Sequence, residues 1–341
     1  MSHYWLEGFG RAGFETVSLD ATNVNFGLHK SLFDLAARKQ LRKQLRPGDI
    51  LLVHEPLSGS FVGLGAPLVV FSHGIEVRLA ALTRTHHLHH PSLKSLLTRP
   101  LWLRRDWVGR RGLRLADLAL VLNRDDYDYV LSHYGRSAAD TFLYRNGVCA
   151  AEKIPERGLG RGVLFLGSWI ERKGIGLLRE AYRRLRADGA DLRWRFAGTG
   201  LDEARVRGYL GAADDARVEI IPHFRAADEG KIFEQIDIFV LPSYMEGQPL
   251  ALLQAMEYGR CCIATRTCGQ KDVLVDGENG LLFEPGDADG FIRQIRAAVA
   301  STEFRAQLGL KARAATENRC WPVVADEVVA AVSARLVSKQ R

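Results

Sequence analysis

The chain has 341 residues, of which 47% are hydrophobic and 26% are charged, and 47 Lys and Arg outnumber 40 Asp and Glu for a net charge of +7. Single hydrophobic cores stop growing at roughly 250–300 residues, so the length predicts two domains, and the composition excludes disordered and fibrous classes. No apolar run approaches the roughly 18 residues of a membrane span and no secretory signal is visible, so the sequence predicts a soluble, cytoplasmic protein.

Hydrophobic patterning alternates between short strand-like runs and longer helical stretches. The strands predicted in the first half are Glu15–Leu19, Ile50–His54, Leu68–Ser72, Leu118–Leu122 and Thr141–Tyr144. Those predicted in the second half are Gly162–Gly167, Arg193–Ala197, Val218–Ile221, Ile236–Leu241, Cys261–Thr265 and Gly280–Phe283. Most runs are continuously apolar, which is typical of strands buried on both faces of a parallel sheet. Strands alternating with helices predict two doubly wound, Rossmann-like α/β domains.

The polar segment Ala150–Arg161, with its proline and two glycines, predicts the domain boundary. We therefore expect an N-terminal domain over residues 1–155, a C-terminal domain over 156–318 and a terminal helix over 319–341. Because residues before Gly13 have a helical pattern, either the usual opening strand of the first domain is missing or the true start lies upstream of Met1. Ligands of such sheets bind beyond the carboxyl ends of the strands.

The run Gly8-Phe9-Gly10-Arg11-Ala12-Gly13 matches the dinucleotide fingerprint G-x-G-x-x-G. That fingerprint needs a strand before it and a helix after it, whereas here the order is reversed. A helix that ends with Gly13 as its left-handed cap explains the run better. The sequence therefore argues against a dinucleotide-binding dehydrogenase.

Two groups of potential metal ligands also have structural explanations. Asp126 and Asp128 resemble a metal-binding D-x-D, but they fall in the first turns of a helix capped by Asn123, where acidic residues favour the helix dipole. The run His86-His87-Leu88-His89-His90 has no carboxylate or thiolate beside it, so a solvated loop is expected. The five cysteines form no C-x-x-C pair. No bound metal is predicted.

Three strand-to-helix junctions in the second half carry residues suited to a phosphate and a sugar. The first is Gly167-Ser168-Trp169-Ile170-Glu171-Arg172-Lys173-Gly174, the second is Gly198-Thr199-Gly200, and the third is Pro242-Ser243-Tyr244-Met245-Glu246-Gly247-Gln248-Pro249. Glycines allow close backbone approach, helix N-termini favour anions, and Lys173 supplies a point charge. Glu246 is either an acceptor for sugar hydroxyls or an acid favoured by the helix that follows.

Taken together, these junctions resemble the family-4 glycosyltransferases of the GT-B fold, with their Lys-Gly, Gly-x-Gly and Pro-Ser-x-x-Glu-Gly elements. Two later runs resemble the same family, namely Gly269-Gln270-Lys271-Asp272 and Asn279-Gly280-Leu281-Leu282-Phe283. In the first half, Phe71-Ser72-His73-Gly74 and Tyr144-Arg145-Asn146-Gly147-Val148 resemble its His-Gly and Asn-Gly-Val stretches more weakly. The resemblance implies two Rossmann-like domains that face each other across a cleft.

The resemblance also implies retaining transfer of a hexosyl unit from a nucleotide-diphosphate sugar to a glycan or lipid-linked acceptor, in surface polysaccharide or glycolipid synthesis, with no cofactor or essential metal. As catalytic residues it implies Lys173 at the leaving diphosphate, Glu246 at the donor sugar and His73 at the sugar or reacting centre. The substrate-binding positions that it implies are Gly167, Ser168, Arg172, Gly198, Gly200, Tyr244, Met245, Gly247, Gln248 and Gln254.

This chain departs from the family pattern at three positions. Ser168 replaces a phosphate-binding arginine, Gln254 replaces the second glutamate, and Asp272 replaces a later glutamate. Arg172 is our hypothesis for a substitute guanidinium. The departures leave a second function open, a GT-B protein that binds a nucleotide sugar or a partner subunit without catalysis. A third possible function is a GT-B epimerase, but the Pro-Ser-x-x-Glu-Gly element argues against it.

The first half also carries a local excess of positive charge. Between Arg38 and Arg114, 14 Lys and Arg accompany four acidic residues, and Leu97–Arg111 interleaves Trp and Leu with arginines. Two interpretations stay open for Arg99–Arg114: a segment that lies on an acidic membrane at its inner face, or a basic surface helix that serves solubility. No nucleic-acid partner is expected, because no aromatic-basic motif of a known module is present.

Overall fold

The computed structural model describes residues 2–20, 22–24, 33–78, 81, 99–156 and 158–337. The chain divides into unit 1, which comprises Met1–Asn146 and Trp321–Arg341, and unit 2, which comprises Gly147–Cys320. The division falls before the segment where the sequence predicts it, because Val148 is already tied into unit 2 by its backbone N–H, which donates to Arg319 O at 2.7 Å. The C-terminal helix belongs to unit 1 rather than standing alone.

Each unit contains a parallel β-sheet. The four strands of unit 1 follow chain order and are β1 (Leu51–His54), β2 (Leu68–Ser72), β3 (Leu118–Val121) and β4 (Thr141–Leu143). The six of unit 2 are β5 (Gly162–Leu166), β6 (Arg193–Ala197), β7 (Val218–Ile221), β8 (Ile238–Leu241), β9 (Cys261–Thr265) and β10 (Leu281–Phe283), in the order β10-β9-β8-β5-β6-β7. The order reverses between β5 and β8, the kind of switch point where α/β proteins bind ligands.

Helices connect and cover the strands. They are α1 (Ser2–Arg11), α2 (Phe33–Gln44), α3 (Arg99–Leu115), α4 (Arg124–Tyr134), α5 (Ile175–Ala187), α6 (Glu203–Leu210), α7 (Glu229–Ile232), α8 (Leu250–Glu257), α9 (Cys268–Lys271), α10 (Ala288–Ala300), α11 (Thr302–Ala314) and α12 (Trp321–Val332). Short 3-10 turns lie at Ser58–Phe61, Glu171–Lys173 and Ala226–Asp228, and a π turn at Ser333–Val337 follows α12.

The predicted strands match the observed ones within one or two terminal residues, with one exception. The predicted strand Glu15–Leu19 is wrong, because the structure shows irregular chain there. Val17 is 77% exposed. A turn follows directly, in which the side chain of Asp20 accepts a hydrogen bond from the backbone N–H of Thr22 at 2.8 Å. Alternating apolar residues without a burying partner do not make a strand.

The glycine-rich run near the start is a helix end, as the sequence predicts. Gly13 has φ 86°, and its backbone N–H donates to Gly10 O at 3.0 Å. Gly8 lies against α12, where a Cβ would come within 2.7 Å of Ala325 Cβ. Tyr4 stacks on Trp321 with ring centroids 4.8 Å apart. Gly8 therefore serves the packing of α1 on α12, whereas Gly13 ends the helix.

The structural interpretation of the Asp126 pair is also confirmed. The Asn123 side chain caps α4 by accepting from the Asp126 backbone N–H at 2.8 Å, and Gly135 closes the helix at φ 65°. Asp126 itself is buried and ion-paired with Arg78, so its carboxylate is occupied by the fold. The predicted histidine-rich loop, 86–90, lies outside the described residues.

Candidate functional site

The candidate site lies at the carboxyl edge of the unit 2 sheet, where the loops after β5, β6, β7 and β8 meet. Gly167 N–H donates to Ala197 O at 2.9 Å, and Gly198 N–H donates to Ile221 O at 2.8 Å. Gly198 and Gly200 adopt left-handed φ values of 67° and 68°. A Cβ on Gly198 would sit 3.5 Å from the Phe224 ring, an ordinary contact distance, so the left-handed φ rather than crowding favours glycine here.

Lys173 and Glu246 form an ion pair at this edge. Lys173 Nζ lies 2.6 Å from Glu246 Oε1, and the two side chains are only 15% and 10% exposed. The Lys173 stem passes over Gly167, because a Cβ there would lie 3.7 Å from Lys173 Cε. An ion pair this far removed from water is costly to form and is held by the loops around it. The two charges predicted to contact a donor are thus brought together.

Gly174 explains how Lys173 reaches this position. Its φ of 76° ends the 3-10 turn and starts α5, and a Cβ there would lie 2.1 Å from Pro242 O. Only glycine allows the two chains to approach so closely. The loop that carries Lys173 is therefore fixed against the loop that carries Glu246.

Arg172 links the same two loops. Its Nη1 donates to Met245 O at 2.7 Å and lies 3.6 Å from Glu246 Oε1. In return, the Tyr244 backbone N–H donates to Arg172 O at 2.9 Å. Burial raises the pKa of the half-buried Tyr244 hydroxyl, which keeps it protonated. The Arg172 guanidinium therefore accompanies the ion pair. Ser168, by contrast, is exposed and supplies only a hydroxyl.

A fifth segment, which follows β9 and contains α9, supports the Glu246 loop. Gln270 is fully buried, and its Nε2 donates to Ser243 O at 3.0 Å and to Thr265 Oγ1 at 2.7 Å. A Cβ on Gly269 would lie 1.9 Å from Gly247 O. No sequence pattern gave Gln270 a role of its own. The signal available was its position inside the Gly-x-x-Asp run.

Two of the predicted substrate-binding glutamines form hydrogen bonds within the fold. Gln248 is 7% exposed, and its Oε1 accepts from Arg319 Nη1 at 3.0 Å. Gln254 Nε2 donates to Glu229, a residue that the sequence analysis missed. Gln248 is thereby committed to packing of the loop, whereas Gln254 keeps its carbonyl oxygen.

His73 belongs to unit 1, where it follows β2 and sits among other polar side chains. Its Nε2 shares a hydrogen bond with His54 Nδ1 at 2.9 Å, and its Nδ1 lies 3.2 Å from the Tyr144 hydroxyl. Desolvation, and then the neighbouring His54, lower the pKa of His73 to about 4. The His73 ring is therefore neutral at pH 7. The sequence analysis did not single out His54.

Glu55 lies beside this cluster and is the most perturbed carboxyl of unit 1. The Ser72 hydroxyl donates to Glu55 Oε2. Burial raises the pKa of Glu55 to about 8, although the hydrogen bond from Ser72 opposes that shift. The Glu55 carboxyl is therefore largely protonated at pH 7. It is a neutral, hydrogen-bonded group next to His54 in the chain.

The basic stretch of unit 1 forms helix α3, and most of its arginines contact protein. Arg104 pairs with the buried Asp34, Arg105 pairs with Glu76, and Arg111 donates to Gly59 O. Val108 and Leu113 are buried, but three other large apolar side chains face solvent. Trp102, Leu103 and Trp107 are 60%, 61% and 63% exposed.

Within the described part of the chain, no group of three His, Cys, Asp or Glu side chains is placed to hold a metal ion. Over the same residues, no helix combines the length and hydrophobicity needed to cross a bilayer.

The two parallel-sheet units define an α/β protein of the GT-B type. Sucrose-phosphate synthase from Thermosynechococcus elongatus is a solved structure of this fold, and it matches with a TM-score of 0.78 at 18% sequence identity. The match covers 99% of this chain and 93% of that one. The predicted fold class is therefore confirmed.

Sequence comparison then connects unit 2 with glycosyltransferases. Residues 160–301, which include Lys173 and Glu246, match the family model "Glycosyl transferases group 1". D-inositol 3-phosphate glycosyltransferase from Geodermatophilus obscurus is 30% identical over 249 residues, which are 64% of this chain and 53% of that protein. The putative colanic acid biosynthesis glycosyltransferase WcaL from Salmonella typhimurium is 32% identical over 145 residues, 40% of this chain and 36% of WcaL. The chain spans about half the length of these relatives or less.

Proposed function

We propose that this protein is a retaining glycosyltransferase of family 4. It transfers a hexosyl unit from a nucleotide-diphosphate sugar to a glycan or lipid-linked acceptor, without a metal, in the synthesis of a surface polysaccharide or glycolipid. The observation that carries the proposal is the buried Lys173–Glu246 pair at the switch-point edge of unit 2. The match of residues 160–301 to glycosyltransferases supports it.

Lys173 supplies the charge that the leaving group needs. Cleavage of the anomeric bond leaves negative charge on the nucleoside diphosphate and positive charge on the sugar. A fixed ammonium near that diphosphate stabilises the transition state more than the ground state. The start of α5, two residues after Lys173, adds its backbone N–H groups to the same region.

Glu246 holds the donor sugar in this proposal. Its carboxylate offers several acceptor positions, of which one oxygen is now bound to Lys173. When a diphosphate competes for Lys173, the carboxylate can accept from sugar hydroxyls instead. Donor binding therefore replaces the contact between Lys173 and Glu246 with two contacts: Lys173 to the diphosphate and Glu246 to the sugar.

Arg172 compensates for the loss of an arginine at position 168. Its guanidinium lies 3.6 Å from Glu246 Oε1, so it shares the environment of the ion pair. Gly167, Gly198 and Gly200 leave backbone accessible beside it, while Tyr244, Met245 and Gly247 shape the sugar side of the loop. Ser168 adds a hydroxyl donor.

His73 contacts the transferred sugar as a neutral imidazole. Its low pKa keeps it uncharged, so it donates or accepts a hydrogen bond without repelling a developing positive charge. The contact between Nδ1 and the Tyr144 hydroxyl orients the ring, and Nε2 exchanges its hydrogen bond with His54 for one with a sugar hydroxyl when the donor binds. We expect His73→Ala to lower the turnover number while leaving nucleoside diphosphate affinity within threefold of the parent.

Helix α3 lies on an acidic membrane surface in this proposal, which suits a lipid-linked acceptor. The supporting observation is the exposure of Trp102, Leu103 and Trp107, since Trp favours the membrane interface. Arg110 and Arg114 are exposed on the same helix and suit acidic head groups.

The test combines binding and turnover. The parent, Glu246→Gln and the control Glu180→Gln, which alters an exposed carboxylate on α5, are screened against UDP, GDP and ADP sugars. We expect the parent and the control to hydrolyse or transfer one donor, and Glu246→Gln to lose at least 100-fold in turnover. If the parent binds nucleotides but never turns over any donor, the transferase proposal fails and the non-catalytic GT-B binding protein replaces it.

A further inference from the structure

Gln254 and Glu229 form a hydrogen bond that joins two loops of the candidate site. Gln254 Nε2 donates to Glu229 Oε2. Gln254 lies in the second turn of α8, the helix that begins four residues after Glu246. Glu229 begins α7, directly after the loop that follows β7. Both residues are half-buried, and the bond ties the segment after β7 to the segment after β8.

The chemistry of this pair determines which way the Gln254 amide points. An ionised carboxylate only accepts hydrogen bonds, whereas an amide has a donating and an accepting end. Glu229 therefore requires the NH₂ end of Gln254. The Gln254 carbonyl oxygen is left as an acceptor, the property that a glutamate would have at that position.

A further contact holds Glu229 itself in place. The hydroxyl of Tyr258, the residue that directly follows α8, hydrogen-bonds to the Glu229 carboxylate. Tyr258 is anchored in turn against Phe233, with ring centroids 4.5 Å apart. Glu229 thus receives donors from Gln254 within α8 and from Tyr258 at its C-terminal cap, which restricts its rotamers.

We propose that Glu229 is a positioning residue that fixes Gln254 with its carbonyl oxygen toward a ribose hydroxyl of the donor nucleoside. The inference rests on the proposed function, since it assumes a nucleotide at this edge. Glu229 follows the loop after β7, and that loop contacts the predicted donor-binding loop after β6, because Gly200 N–H donates to Pro222 O at 3.1 Å.

A charge-exchange cycle tests this inference. The proteins are the parent, Glu229→Gln, Gln254→Glu and the double variant Glu229→Gln/Gln254→Glu. Calorimetry at pH 8 measures the dissociation constant of the nucleoside diphosphate that the parent binds best, and of its 2′,3′-dideoxy counterpart. The ratio of the two constants reports the ribose contact, and a merely structural role would not change it.

We expect the parent to prefer the ribose form at least tenfold. Gln254→Glu places two carboxylates together and should weaken binding of the nucleoside diphosphate more than tenfold. Glu229→Gln should reduce the preference for the ribose form over the dideoxy form about threefold. The double variant restores one donor and one acceptor, with the acceptor now at position 254, so it should recover the preference of the parent. Such recovery is non-additive, as expected for residues in direct contact.

Additive effects in the cycle, or a double variant no better than Gln254→Glu, would overturn the inference. Gln254→Ala gives a second measurement, because it leaves Glu229 bound to Tyr258 and should abolish the ribose preference. The melting temperature of each variant identifies any that fails to fold. A parent that binds the diphosphate without ribose preference refutes this inference alone, whereas a parent that binds no nucleoside diphosphate also refutes the proposed function.

Discussion

Lys173 Nζ and Glu246 Oε1 lie 2.6 Å apart, although the two residues belong to loops that follow β5 and β8. These strands are neighbours at the point where the strand order of unit 2 reverses. The pair is therefore a consequence of topology: parallel strands deliver their following loops to one edge. Because the two side chains are only 15% and 10% exposed, each charge is stabilised mainly by the other and little by water.

The first prediction concerns the stability that depends on this pair. Lys173→Met leaves Glu246 with Arg172 at 3.6 Å as its remaining cation, so we expect unfolding free energy to fall by about 2–4 kcal/mol. Urea denaturation measures it. The double variant Lys173→Met/Glu246→Gln, which removes both charges, should recover most of the loss.

Lys231→Met is the matched control, because Lys231 pairs with Asp228 at 2.9 Å but is 72% exposed. Its cost should stay within about 1 kcal/mol, as for other surface pairs. Equal destabilisation by the two lysine variants would show that burial of the Lys173 pair has no energetic weight.

The second prediction tests the support of the Glu246 loop by its neighbour. Gly269→Ala introduces a Cβ that would lie 1.9 Å from Gly247 O, so the loop must move. We expect at least tenfold weaker nucleoside diphosphate binding, measured by calorimetry, with a lower melting temperature.

Gly208→Ala serves as its control, because a Cβ on this residue of α6 meets no atom within 4 Å. Alanine there should stabilise the protein by about 0.5–1 kcal/mol and leave binding unchanged. Unchanged binding in Gly269→Ala would mean that the loop tolerates displacement and that its placement is not required.

The third prediction is a pH dependence that arises from Glu55. Its pKa in the folded protein is about 8, against an ordinary value of 4.5. Below pH 4.5 both states are protonated and the group has no effect. Between pH 4.5 and pH 8 the unfolded chain gives up the proton while the folded protein keeps it, so folded-state stability falls as pH rises.

Glu55→Gln removes this titration and keeps an oxygen to accept from Ser72. The variant and the parent should have similar stability at pH 4.5, and the variant should gain about 3–5 kcal/mol over the parent by pH 9. Denaturant melts across this range measure the difference. A difference that does not change with pH would show that Glu55 titrates normally.

The fourth prediction concerns helix α3. The parent should float with vesicles that contain phosphatidylglycerol, and Trp102→Ala/Trp107→Ala should float at least fivefold less, because the exposed indoles are lost. Leu310→Ala removes a 63% exposed apolar side chain from α11 and should float like the parent. Absence of the parent from the floating fraction would leave α3 as a basic surface helix.

Much of the fold could be predicted because its strands are continuous apolar runs. Leu68–Ser72 and Cys261–Thr265 are buried throughout, and their pattern gives both the element and its ends. The same logic placed Lys173 and Glu246, since each follows a strand whose end is visible in the sequence. Glu15–Leu19 failed because its pattern is short and its first four residues are exposed.

Contacts between distant side chains could not be predicted in the same way. No local pattern indicates that Gln254 faces Glu229, that Gln270 holds Ser243, or that His54 contacts His73. Each depends on the register of two elements whose order in the sheet is fixed only by the complete fold. The resemblance indicated positions 73 and 254 as functional but gave no information about their partners.

The most direct test of the account is the affinity of the parent and of Lys173→Met for a nucleoside and for its diphosphate, measured by calorimetry. We predict that the parent binds the diphosphate at least 100-fold more tightly than the nucleoside, and that Lys173→Met loses most of this preference while its nucleoside affinity is unchanged. A Lys173→Met protein that keeps the full preference would contradict the assignment of Lys173 to the leaving group.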